Sequence, residues 1–426
     1  MKHGDKKTVA KARKELERNR HLARALGLVI VVAVAFVAGF FVRGESAFLA
    51  GLGFPVTAEE AGPASSGSPS KSTFNSVSAR VSEVEDVLAA NSMDHYDLDA
   101  ATAQTLEAFT ASTEDGYLSY YDPARSELYV KESSDGSYSG IGALFSEYNG
   151  RAYVSDVFEG SVAEAQGVQQ GDFVVAIDGD SSHQWSLTET VKALSREEGS
   201  TVVVTWMRPS SLEADTGEEF TTTLECSAYS VPNVTTELAG TVGYIKLKQI
   251  TQNADDLVGK AIADLTAQGA TSFVLDIRDN PGGYLTQAVN IANLFVKSGV
   301  IVEVQTLDGS STKTASGPVA TEAPLVVLVN GYTSAAAEVL AAALQDNKRA
   351  QVVGTQTLGK GSVQVVRELS FGGALRYTAA YYKSPLGHDI NDVGVLPDKT
   401  VAAGGDAASD AQKRLALETA ESLVQG

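Results

Sequence analysis

The sequence predicts an α/β protein. We expect a core with a mostly parallel sheet and helices packed on it, a β-rich domain before the core, an N-terminal helical segment and one transmembrane helix. Three observations predict this. Strand-like and helix-like segments alternate over residues 230–402. Short strand-like runs separated by glycine turns fill residues 131–229. A run of 18 residues without charge covers residues 25–42.

The first 73 residues predict a membrane anchor. Residues 1–24 hold nine Lys or Arg against three acids, and the uncharged run Ala25 to Val42 is about long enough to cross a bilayer. The positive-inside rule places residues 1–24 in the cytoplasm and the rest of the chain outside. A cleaved signal peptide is the alternative, but no A-x-A site follows the run. Residues 43–73 contain GPASSGSPSKST and predict a flexible linker.

Residues 74–130 predict a helical segment, because Val77, Val81 and Val84 recur at helical spacing and a second helix follows from Leu98 to Ser112. In residues 131–229, strands flank the turn Tyr148-Asn149-Gly150, and a helix follows Ser186 as its N-cap.

Residues 230–402 alternate between strands and helices, and residues 403–426 predict one more helix. The expected strands of the parallel sheet are TVGYIKLKQI, TSFVLDIRDN, VIVEVQT, PLVVLVNG and QVVGT. Ligand sites in such sheets lie at the carboxyl ends of strands. The turns after Arg278 and after Asn330 both fall there.

Composition excludes several classes of function. The formal net charge is −20, which argues against nucleic-acid binding. The single cysteine, Cys226, cannot form an intramolecular disulfide, and its strand-like surroundings favour a buried structural thiol. The five histidines do not cluster, so neither a Ser-His-Asp triad nor a His/Cys metal site is supported. We expect no metal and no cofactor.

The segment Asn330 to Gln364 carries the strongest chemical signal. Ser334 stands at the start of an Ala-rich helix, near unpaired backbone N–H groups. Lys360 lies between two glycines, where burial would lower its pKa and let it accept a proton from a serine. A solvated surface lysine is the plain alternative.

Two glycine-rich turns are candidate binding loops. In Asn280-Pro281-Gly282-Gly283, the backbone N–H groups of the glycines could face a substrate oxygen, although an ordinary turn would look the same. Gly140-Ile141-Gly142 could receive a peptide carboxylate on backbone N–H groups, or merely shape a hairpin.

Four segments together resemble the C-terminal processing (tail-specific) peptidases, over roughly residues 75 to 425. They are SGIGALF with SVAEAQGVQQGDFVVAIDG, LDIRDNPGG, TLGKGSVQ and DVGVLPD. The resemblance implies an extracytoplasmic, membrane-anchored serine endopeptidase. Residues 131–229 would be a PDZ domain that binds apolar C-termini of protein substrates at Gly140-Ile141-Gly142. Residues 230–402 would be the protease core.

The same resemblance assigns the site residues. Lys360 would be the general base of a serine–lysine dyad, Gln364 would orient it, and the N–H groups of Gly282 and Gly283 would form the oxyanion hole. The family's serine precedes a glutamate by three positions, and its lysine follows that glutamate by 22. Glu338 and Lys360 keep this spacing, which puts the nucleophile at position 335, and Ala335 stands there.

Ala335 leaves three interpretations open. The chain could be an active protease that uses Ser334, because a slip of one residue at the helix start could move Ser334 into place. It could be a catalytically inactive pseudoprotease that serves as a peptide-binding scaffold of the cell envelope. It could carry an inactivating Ser-to-Ala change at position 335. Thr333 is a weaker candidate nucleophile.

Overall fold

The structure is a computed structural model. It describes residues 76–123, 125–126, 138–229, 231–402 and 410–425. The predicted cytoplasmic tail, anchor and linker lie outside these residues. Among the helices that are described, none is both long and apolar enough to cross a membrane.

The chain divides into two units, one up to His95 and one from Tyr96 onward. The first unit contributes helix α1 (Val77–Asn91), whose first turn is capped by the Ser76 hydroxyl. In the second unit, helix α2 (Leu98–Ala111) is capped by Asp97, and strand β1 (Ser119–Tyr121) follows. The segment predicted as helical therefore also contains a strand.

Residues 138 to 229 form a β-rich domain with a five-stranded antiparallel sheet in the order β3-β4-β5-β6-β7, while β2 and β8 pair separately. Its core contains Trp206, Leu194 and the thiol of Cys226. The elements are β2 (Tyr138–Gly140), β3 (Ala143–Tyr148), β4 (Arg151–Val157), α3 (Val162–Ala165), β5 (Phe173–Ile177), α4 (Leu187–Leu194), β6 (Thr201–Pro209), β7 (Gly217–Glu225) and β8 (Ser227–Tyr229).

The core domain contains the remaining elements. They are β9 (Val234–Ala239), β10 (Val242–Leu247), α5 (Ala254–Ala267), β11 (Ser272–Asp276), α6 (Leu285–Asn293), β12 (Ser298–Thr306), β13 (Gly309–Ser316), β14 (Leu325–Val329), α7 (Ala336–Asp346), β15 (Ala350–Gly354), β16 (Ser362–Glu368), β17 (Ala374–Lys383), β18 (Lys399–Thr400) and α8 (Ala411–Gln425).

The first sheet of the core is mostly parallel, as the sequence predicts. Its order is β18-β15-β14-β11-β10-β9, and only β9 is antiparallel to its neighbour. Helices α5, α6 and α7 pack on one face, and Ala416 and Ala420 of α8 pack on the other. Because both faces are covered, β11 and β14 are buried along their whole length.

The second sheet of the core corrects one prediction. The strand VIVEVQT, which is the greater part of β12, does not join the parallel sheet but pairs antiparallel with β13 and β17. Its polar residues Glu303 and Gln305 remain accessible, which a strand buried on both faces would not allow. β17 also pairs with β1 and, along its other edge, with β16.

Candidate active site

The first residue of the site is Ala335, which stands immediately before helix α7. Its backbone has φ 52° and ψ −121°, a region that residues with a Cβ rarely adopt. Its N–H donates to the carboxylate of Glu338 at 2.9 Å. A Cβ built on Gly282 would lie 2.9 Å from the Ala335 Cβ, so the Ala335 side chain faces the Asn280–Gly283 turn.

The hydroxyl of Ser334 points elsewhere. Ser334 is fully buried, its N–H donates to the Asn280 carbonyl at 3.0 Å, and its Oγ lies 3.1 Å from the Oγ of Ser146 on strand β3. Within the part of the chain that the structure describes, no hydrogen bond joins Ser334 to Lys360. The Thr333 hydroxyl is held by the Ile277 carbonyl at 2.9 Å and by the Asn330 N–H. The structure therefore places neither hydroxyl against the lysine.

Lys360 is buried, its role as a base stays a prediction, and its charged partner comes from the β-rich domain. Its side chain is 10% exposed, and its Nζ is 3.4 Å from a carboxylate oxygen of Glu147. The Nζ also lies 5.5 Å from the centre of the Tyr117 ring. Burial lowers the pKa of the Lys360 ammonium, and the negative charge of Glu147 opposes this shift.

Glu147 is the centre of a buried ion cluster. Both of its oxygens accept hydrogen bonds from the guanidinium of Arg376 at 2.5 Å, in addition to the contact with Lys360. Burial alone would raise the pKa of Glu147, but the positive charges of Arg376 and Lys360 more than offset it and lower the pKa to about 2. Sequence reasoning missed both Glu147 and Arg376.

Glu338 links the start of helix α7, at Ala335, to the loop that carries Lys360. Its carboxylate is fully buried and accepts hydrogen bonds from the Thr357 hydroxyl at 2.6 Å and from the N–H groups of Gly359 at 2.7 Å and Lys360 at 2.8 Å. With the Ala335 N–H these make four donors. Burial raises the pKa of Glu338 to about 7, although the four donors stabilise the carboxylate. The sequence marks Glu338 only by its spacing.

The two glycines predicted for the oxyanion hole differ in whether their N–H groups already donate a hydrogen bond. The Gly282 N–H is taken by the side chain of Asn280 at 2.9 Å. Among the described residues, the Gly283 and Ala336 N–H groups have no acceptor. The Ala336 nitrogen is close to the Asn280–Gly283 turn, because a Cβ built on Gly282 would lie 2.9 Å from it. The N–H groups of Gly283 and Ala336 therefore both border this turn, beside Ala335. This pair fits an oxyanion better than Gly282 does.

Among the described residues, no hydrogen bond joins Gln364 to Lys360. Its amide donates to the Ser362 hydroxyl at 2.8 Å and approaches the Thr378 hydroxyl at 3.5 Å. The orienting role that the family resemblance assigns to Gln364 thus stays a prediction.

The second predicted loop, Gly140-Ile141-Gly142, lies at the start of β3. The Ile141 and Gly142 carbonyls accept bonds from the N–H groups of Ala163 and Phe158, at 3.1 and 2.9 Å. The N–H groups of Ile141 and Gly142 have no acceptor among the described residues. Gly142 has φ +80°, and a Cβ there would lie 2.3 Å from Ser161. Only glycine fits, and the loop has the open donors that a carboxylate needs.

The described residues contain no group of three or more His, Cys, Asp or Glu side chains that could hold a metal ion.

Comparison with known proteins gives two matching families and several relatives. Residues 241–401 match peptidase family S41, and residues 153–208 match the PDZ domain. A carboxyl-terminal-processing protease from Picosynechococcus sp. is 40% identical over 65% of this chain and 68% of its own length. A carboxyl-terminal-processing protease from Synechocystis sp. is 40% identical over 57% of each chain.

A solved structure is similar as well. The photosystem II D1 C-terminal processing protease has 29% identity and a TM-score of 0.62, over 76% of this chain and 88% of its own. The similarity therefore extends over both the β-rich domain and the core.

Proposed function

Because the chain belongs to peptidase family S41, the carboxyl-terminal-processing proteases, we propose that it captures the C-termini of proteins and holds them without cutting them. The observation that carries this proposal is the geometry of Ala335. Its N–H donates to Glu338 and its Cβ faces the Gly282 turn, which supports position 335 as the nucleophile position, and its methyl group carries no hydroxyl.

Peptide capture rests on the PDZ domain. The open N–H groups of Ile141 and Gly142 suit a terminal carboxylate, and β3 offers an edge to which the preceding residues of the tail can add as a strand. Helix α4 packs beside β3, and its half-buried Leu187 and Val191 favour apolar tail residues. Substrates would thus be proteins with apolar C-termini.

A second candidate is an endopeptidase that uses Ser334 with Lys360. It is favoured by the position of Ser334, one residue before Ala335, and by the burial of Lys360. The Ser334 Oγ lies 3.1 Å from the Oγ of Ser146, whereas the Ala335 Cβ faces the Gly282 turn, so the two side chains point to different places. A displacement of about 1 Å can lower catalysis on the order of 100-fold. We therefore expect any turnover through Ser334 to be at least about 100-fold below that of a serine at position 335.

The test compares the full chain in detergent with its Ala335→Ser variant, on an unstructured polypeptide that ends in apolar residues. The proposal expects the wild type to bind the polypeptide but not an amidated copy, and to cleave neither. Ala335→Ser should cleave, and Lys360→Ala added to that variant should abolish the cleavage. Cleavage by the wild type that disappears in Ser334→Ala would overturn the proposal in favour of the second candidate.

The location follows from the N-terminal sequence. We place residues 1–24 in the cytoplasm, the anchor at 25–42 in the cell membrane and the PDZ and S41 domains outside, where they would meet tails of envelope proteins. Protease added to intact spheroplasts should digest the domains after residue 43 and leave residues 1–24 intact. Protection of the whole chain would contradict this topology.

A further inference from the structure

The border of the second core sheet beside Lys360 is strand β16, whose outer edge pairs with no other described strand. Strand β16 begins at Ser362, two residues after Lys360, and within the described residues it pairs with β17 alone. At about 3.3 Å per residue, the start of this edge lies within about 7 Å of the lysine along the chain.

The direction of the backbone groups on β16 follows from its pairing. Gln364 is opposite Thr378, and the Thr378 N–H donates to Asp115 at 3.0 Å rather than to β16. Gln364 and Thr378 are therefore a pair without mutual hydrogen bonds, and the Gln364 N–H and C=O point away from β17. The register continues without a shift to Val366, opposite Arg376, so the Val366 N–H also points outward.

The first five residues of β16 lack the features that keep sheet borders from pairing, and charge appears only at its far end, at Arg367 and Glu368. Borders are normally protected by charged side chains, prolines or short strands. Here β7 carries Glu218 and Glu219, β13 carries Lys313, and β18 has two residues. The stretch Ser362–Val366 has no charge and no proline, and Val365 is 41% exposed.

From these observations we propose that the Ser362–Val366 edge pairs with an extended segment of the captured polypeptide, upstream of its C-terminal tail. This inference rests on the proposed function for the identity of the occupant. Backbone pairing would accept many sequences, while Val365 would favour apolar residues at alternating positions. The pairing would hold the segment beside Lys360 and the Gly283 turn whether or not the site cuts it.

The test measures amide hydrogen exchange, resolved to single residues, in the full chain in nanodiscs with and without peptide. The probe is an uncharged, unstructured 16-residue peptide that ends in four apolar residues, with a C-terminally amidated copy as its control. The proposal expects the Gln364 and Val366 amides to exchange fast in the free protein and to slow with the peptide. If the Gln364 and Val366 amides still exchange fast with saturating peptide, the proposal is wrong. It is also wrong if these two amides exchange slowly before any peptide is added.

The same experiment also tests whether the PDZ domain binds the tail, because the exchange rates of the Ile141 and Gly142 amides report that binding. If these slow while Gln364 and Val366 do not, the tail binds and the edge proposal is wrong. If Gln364 and Val366 slow with both peptides while Ile141 and Gly142 stay fast, the edge is used and capture by the PDZ domain is wrong.

Two variants at one position separate pairing from side-chain effects. Val366→Pro removes the outward N–H without removing a bond to β17. The affinity for the peptide, measured from the slowing of exchange at Gln364, should fall about tenfold. Val366→Ala keeps the N–H and should retain the wild-type affinity. Equal affinities in both variants, with equal melting temperatures, would overturn the proposal.

Discussion

The buried cluster of Glu147, Lys360 and Arg376 predicts a large loss of stability when Glu147 is neutralised. A carboxyl whose pKa is about 2 in the folded chain and 4.5 in the unfolded chain contributes about 3 kcal/mol at neutral pH. In Glu147→Gln, the side chains of Lys360 and Arg376 remain buried without their counter-charge. Removing one partner of a buried ion pair typically costs about 3–5 kcal/mol. We expect a loss of about 3 kcal/mol in the free energy of unfolding at pH 7.

The sign of the pH dependence follows from the lowered pKa. The contribution of Glu147 is complete above the unfolded pKa of 4.5 and is lost as the pH falls toward 2. The difference between wild type and Glu147→Gln should therefore shrink from about 3 kcal/mol at pH 7 to near zero at about pH 2.

Urea unfolding followed by tryptophan fluorescence suits this measurement. Both tryptophans, Trp185 and Trp206, are buried in the PDZ domain that carries Glu147. Glu219→Gln, at an exposed position of the same domain, is the control and should change the free energy of unfolding by less than about 0.5 kcal/mol. A Glu147→Gln loss as small as that of the control, or a loss independent of pH, would refute the reasoning.

Three further changes test the geometry around Ala335. Gly282→Ala should destabilise by more than about 2 kcal/mol, because its Cβ would lie 2.8 Å from the Ser334 carbonyl oxygen. Gly269→Ala, also at positive φ but with no atom within 4 Å of the added Cβ, is the matched control in thermal melts. Ala335→Gly should raise the free energy of unfolding by about 1 kcal/mol through relief of the strained φ 52°, ψ −121° conformation. For Glu338, with a folded pKa of about 7, wild-type stability should fall by about 3 kcal/mol as pH rises from 4.5 to 7, and Glu338→Gln should lack this fall in urea titrations.

Much of the fold could be predicted, and two groups of the candidate site could be located, because their signals are local or rest on fixed spacings. Strand β14 is a continuous apolar stretch and β11 contains the apolar run from Phe273 to Leu275, and such runs predict a parallel sheet. The 22-residue spacing from Glu338 to Lys360 corresponds to a direct contact, since the carboxylate accepts the Lys360 N–H at 2.8 Å. Counting residues by this spacing therefore locates two groups that touch in the structure.

The partners of Lys360 could not be predicted, because no local pattern specifies them. Glu147 lies 213 residues from Lys360 and 229 residues from Arg376 along the chain. In the sequence, Glu147 is one polar residue of an ordinary strand. Only the docking of β3 against the core turns it into the counter-charge of the lysine. The direction of the Ser334 hydroxyl depends on the same docking, because its neighbour is Ser146.

Folding and chemistry make different demands on this site, and the difference explains how it can keep its shape with an alanine at position 335. Glu338 requires the backbone N–H of Ala335, not a hydroxyl, to complete its four hydrogen bonds. Lys360 is held by Glu147 and by its burial, neither of which needs a nucleophile. A hydroxyl at position 335 would thus serve chemistry alone, and its loss would leave the carboxylate network, the ion cluster and the Gly283 turn intact. Replacing Ala335 by serine should accordingly restore a nucleophile to a site that folding has already built.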